Sequence, residues 1–240
     1  MNRRGAGDPA TGWDGLGALL LDFDGLLLDT ETCTWAAVRE AFEEHGETLD
    51  ISWWHSIIGT ADHPHWSDVL AERVGTDIDL DEVRARCLAR RRELLELETL
   101  RPGVTGLLDA ADAAGVPTAV VSSSSLAWVD GHLRRLGVAH RFHHLTTRDD
   151  VGGDPRRTKP APDLFLRAAE RLGVEPAACV VLEDSPHGVA GARAAGMAVV
   201  AVPGQMTAGL DFSGADAVVG SLTEVELPAL ARLVRRAGRA

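Results

Sequence analysis

What most constrains this chain is a change of pattern along it. From Pro102-Gly103 onward short apolar runs alternate with helical patterns, whereas residues 31–99 are helical throughout, and one short apolar run, Ala18–Leu21, precedes them. Thr118–Val121, Cys179–Leu182, Ala198–Val202 and Ala217–Val219 read as buried strands, with a weaker candidate at Phe142–Leu145. Helices are expected at Val104–Ala114, Ser125–Leu136, Pro162–Leu172, Pro186–Ala195 and Leu222–Arg236. Gly115, Gly137, Gly173 and Gly196 each follow a helical pattern, where a left-handed cap belongs. Such alternation implies βαβ crossovers and a parallel sheet covered on both faces. The lone first run cannot bury itself, so it must join that sheet. The predicted fold class is therefore α/β: a Rossmann-like doubly wound parallel sheet (residues 16–30 and 100–240) with an inserted α-helical cap domain (residues 31–99). Inside the insertion Thr34–His45, His65–Val74 and Leu80–Leu97 carry helical spacing, with loops at Gly46, Gly59-Thr60 and Gly75. Residues 1–15 are expected to be disordered.

In a doubly wound sheet ligands bind beyond the carboxyl ends of the strands, and polar residues gather there in this chain. Asp22-Phe23-Asp24-Gly25 follows the first run, Ser122 and Ser123 follow Val121, and Glu183-Asp184 follow Leu182. Carboxylates converging on one crevice repel unless a cation sits among them, and an all-oxygen donor set suits Mg²⁺. Hydroxyls and backbone N–H groups at a helix start, as in Ser122–Ser125, suit a phosphate. Of the 24 basic residues, Lys159 is the only lysine. A compact ammonium held just before Pro160-Ala161-Pro162-Asp163 can pair with both a carboxylate and a phosphate oxygen.

Composition narrows the partners. The 240 residues carry a formal charge of -12, which argues against a nucleic-acid partner. No apolar run reaches membrane-spanning length. Cys33, Cys87 and Cys179 are odd in number and form no CxxC, so a disulfide framework is not expected and a reducing cytoplasm fits. The N-terminal stretch does not resemble a signal peptide, and Asn2, the only asparagine, offers no glycosylation sequon.

These motifs together resemble the haloacid dehalogenase superfamily, in its phosphatase and β-phosphoglucomutase-like branch with a helical C1 cap. Leu21–Thr30 is similar to that family's first motif and Val120–Ser123 to its second. Lys159 with Pro160–Asp163 is similar to the third and Leu182–Ser185 to the fourth; Gly188 and Ala194–Met197 match the usual continuation. The resemblance implies Asp22 as nucleophile forming an aspartyl-phosphate, and Asp24 as the acid that protonates the leaving oxygen and then activates water. It implies Mg²⁺ held by Asp22, the Asp24 carbonyl and Asp184, with Glu183 supporting the metal shell. Phosphoryl oxygens would meet Ser122, the Ser123 N–H and Lys159.

Around these, Ser124 and Ser125 read as helix-capping residues, Trp53, Trp54 and Trp128 as packing residues, and His143 and His144 as structural. Thr30 reads either as a cap-helix N-cap or as part of the site. The loop Gly59, Thr60, Asp62, His63 and His65 reads as a substrate-specificity loop or a structural turn; a metal role for its HxH lacks a third ligand.

Within the family, Asp24 argues against a dehalogenase, and a lysine-free cap excludes a phosphonatase. A mutase is expected to use a cap-proximal histidine and basic cap-loop residues, but Thr34 and Asp62 stand at those positions. The expected function is therefore a Mg²⁺-dependent phosphatase of a small phosphorylated metabolite, acting as a monomer or weak homodimer, with a mutase as the alternative. A phospho-accepting receiver domain, the reading from a different class, is opposed by the helical insertion and by Asp24. Arg39, Arg73 and the Arg84–Arg92 cluster read as solvated helix faces or ion-pair partners, with a distal phosphate contact as the alternative, and Asp149–Thr158 has no functional reading.

Overall fold

The computed structural model describes residues 15–75 and 78–237; the expectation for residues 1–15 lies outside them apart from Gly15. Six strands form one sheet: β1 (Ala18–Leu21), β2 (Thr118–Val121), β3 (His144–Thr146), β4 (Cys179–Glu183), β5 (Ala198–Ala201) and β6 (Ala217–Val218). Their spatial order is β3-β2-β1-β4-β5-β6 and every pair is parallel. Leu20 of β1 lies beside Ala119 on one side and Val181 on the other, so the lone first strand is central in the sheet.

Strand side chains alternate between two cores, as the pleat requires. Leu19, Leu21, Val120, Val180 and Leu182 pack with α5 (Val104–Ala114), α6 (Leu126–Arg135) and α9 (Leu227–Ala237). Ala18, Leu20, Ala119, Val121 and Val181 pack on the opposite face with α7 (Asp163–Leu172) and α8 (Pro186–Ala194). Both sheet faces are covered, which is why these strands read as unbroken apolar runs.

Between β1 and α5 the chain makes four helices: α1 (Thr30–Glu44), α2 (Ile51–Ile57), α3 (Trp66–Val74) and α4 (Leu80–Leu97). They share a separate apolar cluster built on Val38, Phe42, Trp54, Leu70, Val83 and Cys87. Asp29, Asp50, His65 and Asp79 each cap the start of one helix by accepting a backbone N–H. Helix α2 was not expected as a separate element; at seven residues it shows less than two full turns of periodicity. The expected helix Leu222–Arg236 is instead a short 3-10 turn, Leu222–Glu224, followed by α9. Pro228 sits in the first turn of α9, where its missing N–H costs nothing, and it could not have occupied the interior of the longer helix. The three cysteines are free and buried, and burial pushes each thiol up to about 11. Among the described residues no helix is long and apolar enough to cross a membrane.

Candidate active site

The order β3-β2-β1-β4 puts the ends of β1, β2 and β4 side by side, where the connections diverge to opposite faces. The Asp22 N–H donates to Leu182 O at 3.0 Å, which carries the β1–β4 pairing one residue past the strand. Gly25 then turns the chain at φ 80, and a Cβ there would overlap the Asp184 carboxyl. Only glycine fits that position.

The buried half of the site is a cluster of four charged groups. Lys159 Nζ contacts Asp22 Oδ1, ion-pairs with Glu183 and donates to Val121 O at 2.7 Å. Burial alone would lower the lysine's pKa, but Asp22 and Glu183 outweigh it and raise the value above the ordinary one. Asp22, Glu183 and Asp184 each offer a carboxylate oxygen, and these atoms lie within 4.8 Å of one another. Burial pushes Asp22 well above the usual carboxylate range; Glu183 and Asp24 add to the shift and Lys159 opposes it. Asp184 is raised likewise, by burial first and then by Asp22 and Glu183. One ammonium facing three buried carboxylates leaves the cluster short of positive charge. Its all-oxygen donors are those of a hard divalent cation, so the residues present fit Mg²⁺.

Glu183 is held from two sides. Its Oε2 accepts from the N–H of Asp184 (3.1 Å), the N–H of Ser185 (3.3 Å) and Ser185 Oγ (3.0 Å). Gly188 in α8 leaves it room, since a Cβ there would overlap the Glu183 carboxyl.

Asp24 occupies a different environment, two residues from Asp22. Oδ1 accepts from Thr30 Oγ1 (2.9 Å) and Trp128 Nε1 (2.8 Å); Oδ2 accepts from Ser122 Oγ (3.1 Å) and Ser124 Oγ (2.7 Å). Three expectations are corrected or decided here. Ser124 does not cap α6: Ser125 does, accepting from the Trp128 N–H at 3.4 Å. Trp128 is more than a packing residue, because its indole N–H is spent on Asp24. Thr30 is not an N-cap, a place taken by Asp29, and its hydroxyl turns to Asp24 instead. Ser122 is fully buried beneath this cradle. The Asp24 carboxylate stands apart from the Asp22, Glu183 and Asp184 trio.

Above these residues lies a cleft of about 460 Å³ between the strand ends and the cap helices. Asp22 and Asp24 line its floor, with Ser123, Ser124 and Trp128 on the core side. Of the expected specificity residues, Thr30, Gly59, Thr60, His63 and His65 line it, whereas Asp62 does not and points to solvent. Asp62 lies one residue past Ala61, the last loop residue tied to the core side, and is exposed. The loop is fastened by three bonds: Ser123 Oγ to Gly59 O (3.1 Å), Ala61 N–H to Thr158 Oγ1 (3.4 Å) and His187 Nδ1 with Ile58 O (2.9 Å). Thr158 therefore gives the Asp149–Thr158 segment a contact with the cap. The imidazole of His65 caps α3, with Nδ1 2.7 Å from Ser67 Oγ. Trp54 also lines the cleft while packing edge-on against Trp35. His143 Nδ1 accepts from the Thr118 N–H at 3.3 Å, a structural use.

Three further charged residues line the cleft: Glu31 and Arg148, which the sequence does not single out, and Arg91, which is not the solvated face or ion-pair partner expected of the Arg84–Arg92 cluster but turns toward the cleft. Burial, then Asp24 and Asp29, push Glu31 up to about 8, with Arg91 opposing. A signal for Arg91 existed, because it falls four residues after buried Cys87 and four before buried Leu95, on the inward stripe of α4. Arg90 belongs to a solvent-facing pair with Glu40 instead.

Comparison with known proteins places this geometry in a family. A family profile described as haloacid dehalogenase-like hydrolase matches residues 16–196. YhcW of Bacillus subtilis (strain 168) is 41% identical over 213 residues, covering 89% of this chain and 95% of its own. The fructose-1-phosphate phosphatase YqaB of Escherichia coli (strain K12) is 34% identical, covering 77% and 95%. Among solved structures, CbbY from Rhodobacter sphaeroides in complex with phosphate superposes with a TM-score of 0.70 at 27% identity, covering 87% of this chain and 96% of that one. The chain belongs to the haloacid dehalogenase-like hydrolases.

Proposed function

We propose that this enzyme is a Mg²⁺-dependent phosphatase that cleaves the phosphate monoester of a small metabolite through an aspartyl-phosphate on Asp22. The observation that carries the reading is the buried cluster of Lys159 with Asp22, Glu183 and Asp184 beneath the cleft between core and cap. Asp22 is the nucleophile: it lines the cleft, and Lys159 holds one carboxylate oxygen while the other attacks phosphorus. Asp22, Asp184 and Glu183 would hold Mg²⁺, which would supply positive charge to screen the phosphoryl oxygens from the carboxylates. Lys159 steadies the charge that moves onto Asp22 and phosphate during transfer.

Asp24 delivers a proton to the departing oxygen and later takes one from water. The loop at Ile58–Ala61, tied to the core by three hydrogen bonds, and the cap helices limit the access of bulk solvent during transfer. Thr34 supports hydrolysis over phosphoryl transfer within the substrate. It lines the cleft with its hydroxyl bonded to Thr30 O at 2.7 Å, so α1 presents a threonine where a mutase is expected to carry a histidine. Relatives such as the fructose-1-phosphate phosphatase support a small phosphate ester as substrate.

The test is Asp22→Asn assayed on a panel of phosphate monoesters, with Mg²⁺ and with chelator. Activity should fall by at least about 10⁴-fold, the scale of losing a nucleophile, and chelation should abolish wild-type turnover. An Asp22→Asn variant that retains wild-type rate would overturn the reading.

A further inference from the structure

The Asp24 cradle holds one donor that the proposed chemistry does not explain. A carboxylate offers about four lone-pair positions, and here Thr30, Trp128, Ser122 and Ser124 fill them. Asp24 must release at least one of these bonds before it can exchange a proton with a leaving oxygen. Three donors are small hydroxyls. The fourth, the Trp128 indole, lies in the first turn of α6 and packs edge-on against His132, with ring centroids 4.3 Å apart.

Trp128 is also where the cap reaches this network. The Arg91 guanidinium of α4 sits over its ring, 4.5 Å from the centroid. A guanidinium over an indole face is a favourable cation–π contact. Among the described residues no carboxylate lies within ion-pairing distance of Arg91, although neighbouring Arg86 and Arg90 pair with Glu44 and Glu40. Burial accordingly holds the Arg91 pKa below its ordinary value. An arginine turned inward on the buried stripe of α4 thus has the indole as its counterpart.

We propose that Trp128 is a positioning residue for Asp24, and that Arg91, stacked on Trp128, couples the position of Asp24 to the seating of the cap. With the cap seated, the indole N–H fixes Asp24 Oδ1. When α4 moves, Arg91 leaves the ring, the indole is free to shift, and Asp24 gains the freedom to turn. Packing alone would need only an aromatic ring, so the N–H bond is what separates the two roles. The inference rests on the acid–base role proposed for Asp24 and adds the residues that control it.

The test compares wild type, Trp128→Phe and Arg91→Met on two esters: 4-nitrophenyl phosphate, whose leaving group departs without a proton, and glycerol 2-phosphate, whose alkoxide needs one. The readout is kcat/KM, which reports the steps through phosphoryl transfer to Asp22. Trp128→Phe should lower it about tenfold or more for the alkyl ester, part of the 10²–10⁴-fold that a general acid supplies, and by less than about threefold for the nitrophenyl ester. Arg91→Met should show the same split at smaller size. Equal losses on both esters, or none, would overturn the proposal. Wild-type protein inert toward both esters with Mg²⁺ would instead refute the phosphatase reading. Circular dichroism verifies folding; should Trp128→Phe fail to fold, Arg91→Met decides by the same split, because Arg91 is only partly buried.

Discussion

On the core side of the cleft, Asp22, Lys159, Glu183 and Asp184 are buried together, with Lys159 paired to Asp22 and Glu183 and the Asp184 carboxylate beside them. On the cap side, His63 and His65 stand in a loop open to solvent, and the helices behind them pack around their own apolar cluster. The core wall therefore gathers its charge into one buried cluster of fixed geometry, while the cap wall's charges, Glu31 and Arg91, stand outside that cluster and its loop can vary. That division separates phosphate chemistry, built into strand ends, from substrate choice, left to a loop fastened by three hydrogen bonds.

Breaking the core wall should have the largest effect. Lys159→Met removes the only cation among three buried carboxylates and should destabilise the metal-free protein by about 3–5 kcal/mol, the usual cost of breaking a buried ion pair. Urea denaturation checks this; a change within experimental error would mean the cluster is not charged as described. The next effect is the response to Mg²⁺. Asp22 and Asp184 have raised pKa values in the fold, so the folded state binds more protons than the unfolded one. Stability from this source is present below about pH 4 and is lost as pH rises through the raised values. Mg²⁺ should offset the loss, so the gain in melting temperature on adding Mg²⁺ should grow from acid to mildly alkaline pH. A gain that shrinks with pH would contradict the account. The smallest effect belongs to the cap loop's outer side: Asp62→Ala should change kcat/KM by less than about twofold and stability by no more than about 0.5 kcal/mol. A larger loss would return Asp62 to the cleft and blur the contrast between the walls.

The same contrast explains what could be read from the sequence. Strands buried on both faces announce themselves as apolar runs, and polar residues directly after them, such as Asp22, Asp24, Ser122, Glu183 and Asp184, are brought to one edge by topology alone. Lys159 was legible because no other lysine competes with it. The cap was harder to read. Its helices reveal their buried faces, but which loop residues face the core depends on how the insertion docks. That is why Asp62 reads together with His63 and Arg91 together with the solvated arginines around it, while Glu31 carries no signal. Trp128 was missed for another reason: an indole in the first turn of a helix looks like packing until the neighbouring carboxylate is placed beside it. Ser124 and Ser125 differ by one residue, and only the helix start at Leu126 decides which of them caps.

The most direct test of the account uses Asp24→Asn with 4-nitrophenyl phosphate, whose leaving group needs no proton. Mixing the variant with this ester and Mg²⁺, quenching in acid and mapping the peptides by mass spectrometry reads the intermediate itself. The account predicts that phosphate accumulates on Asp22, because transfer proceeds while its hydrolysis lacks a base. Phosphate on any other residue, or turnover unimpaired by the substitution, would contradict it.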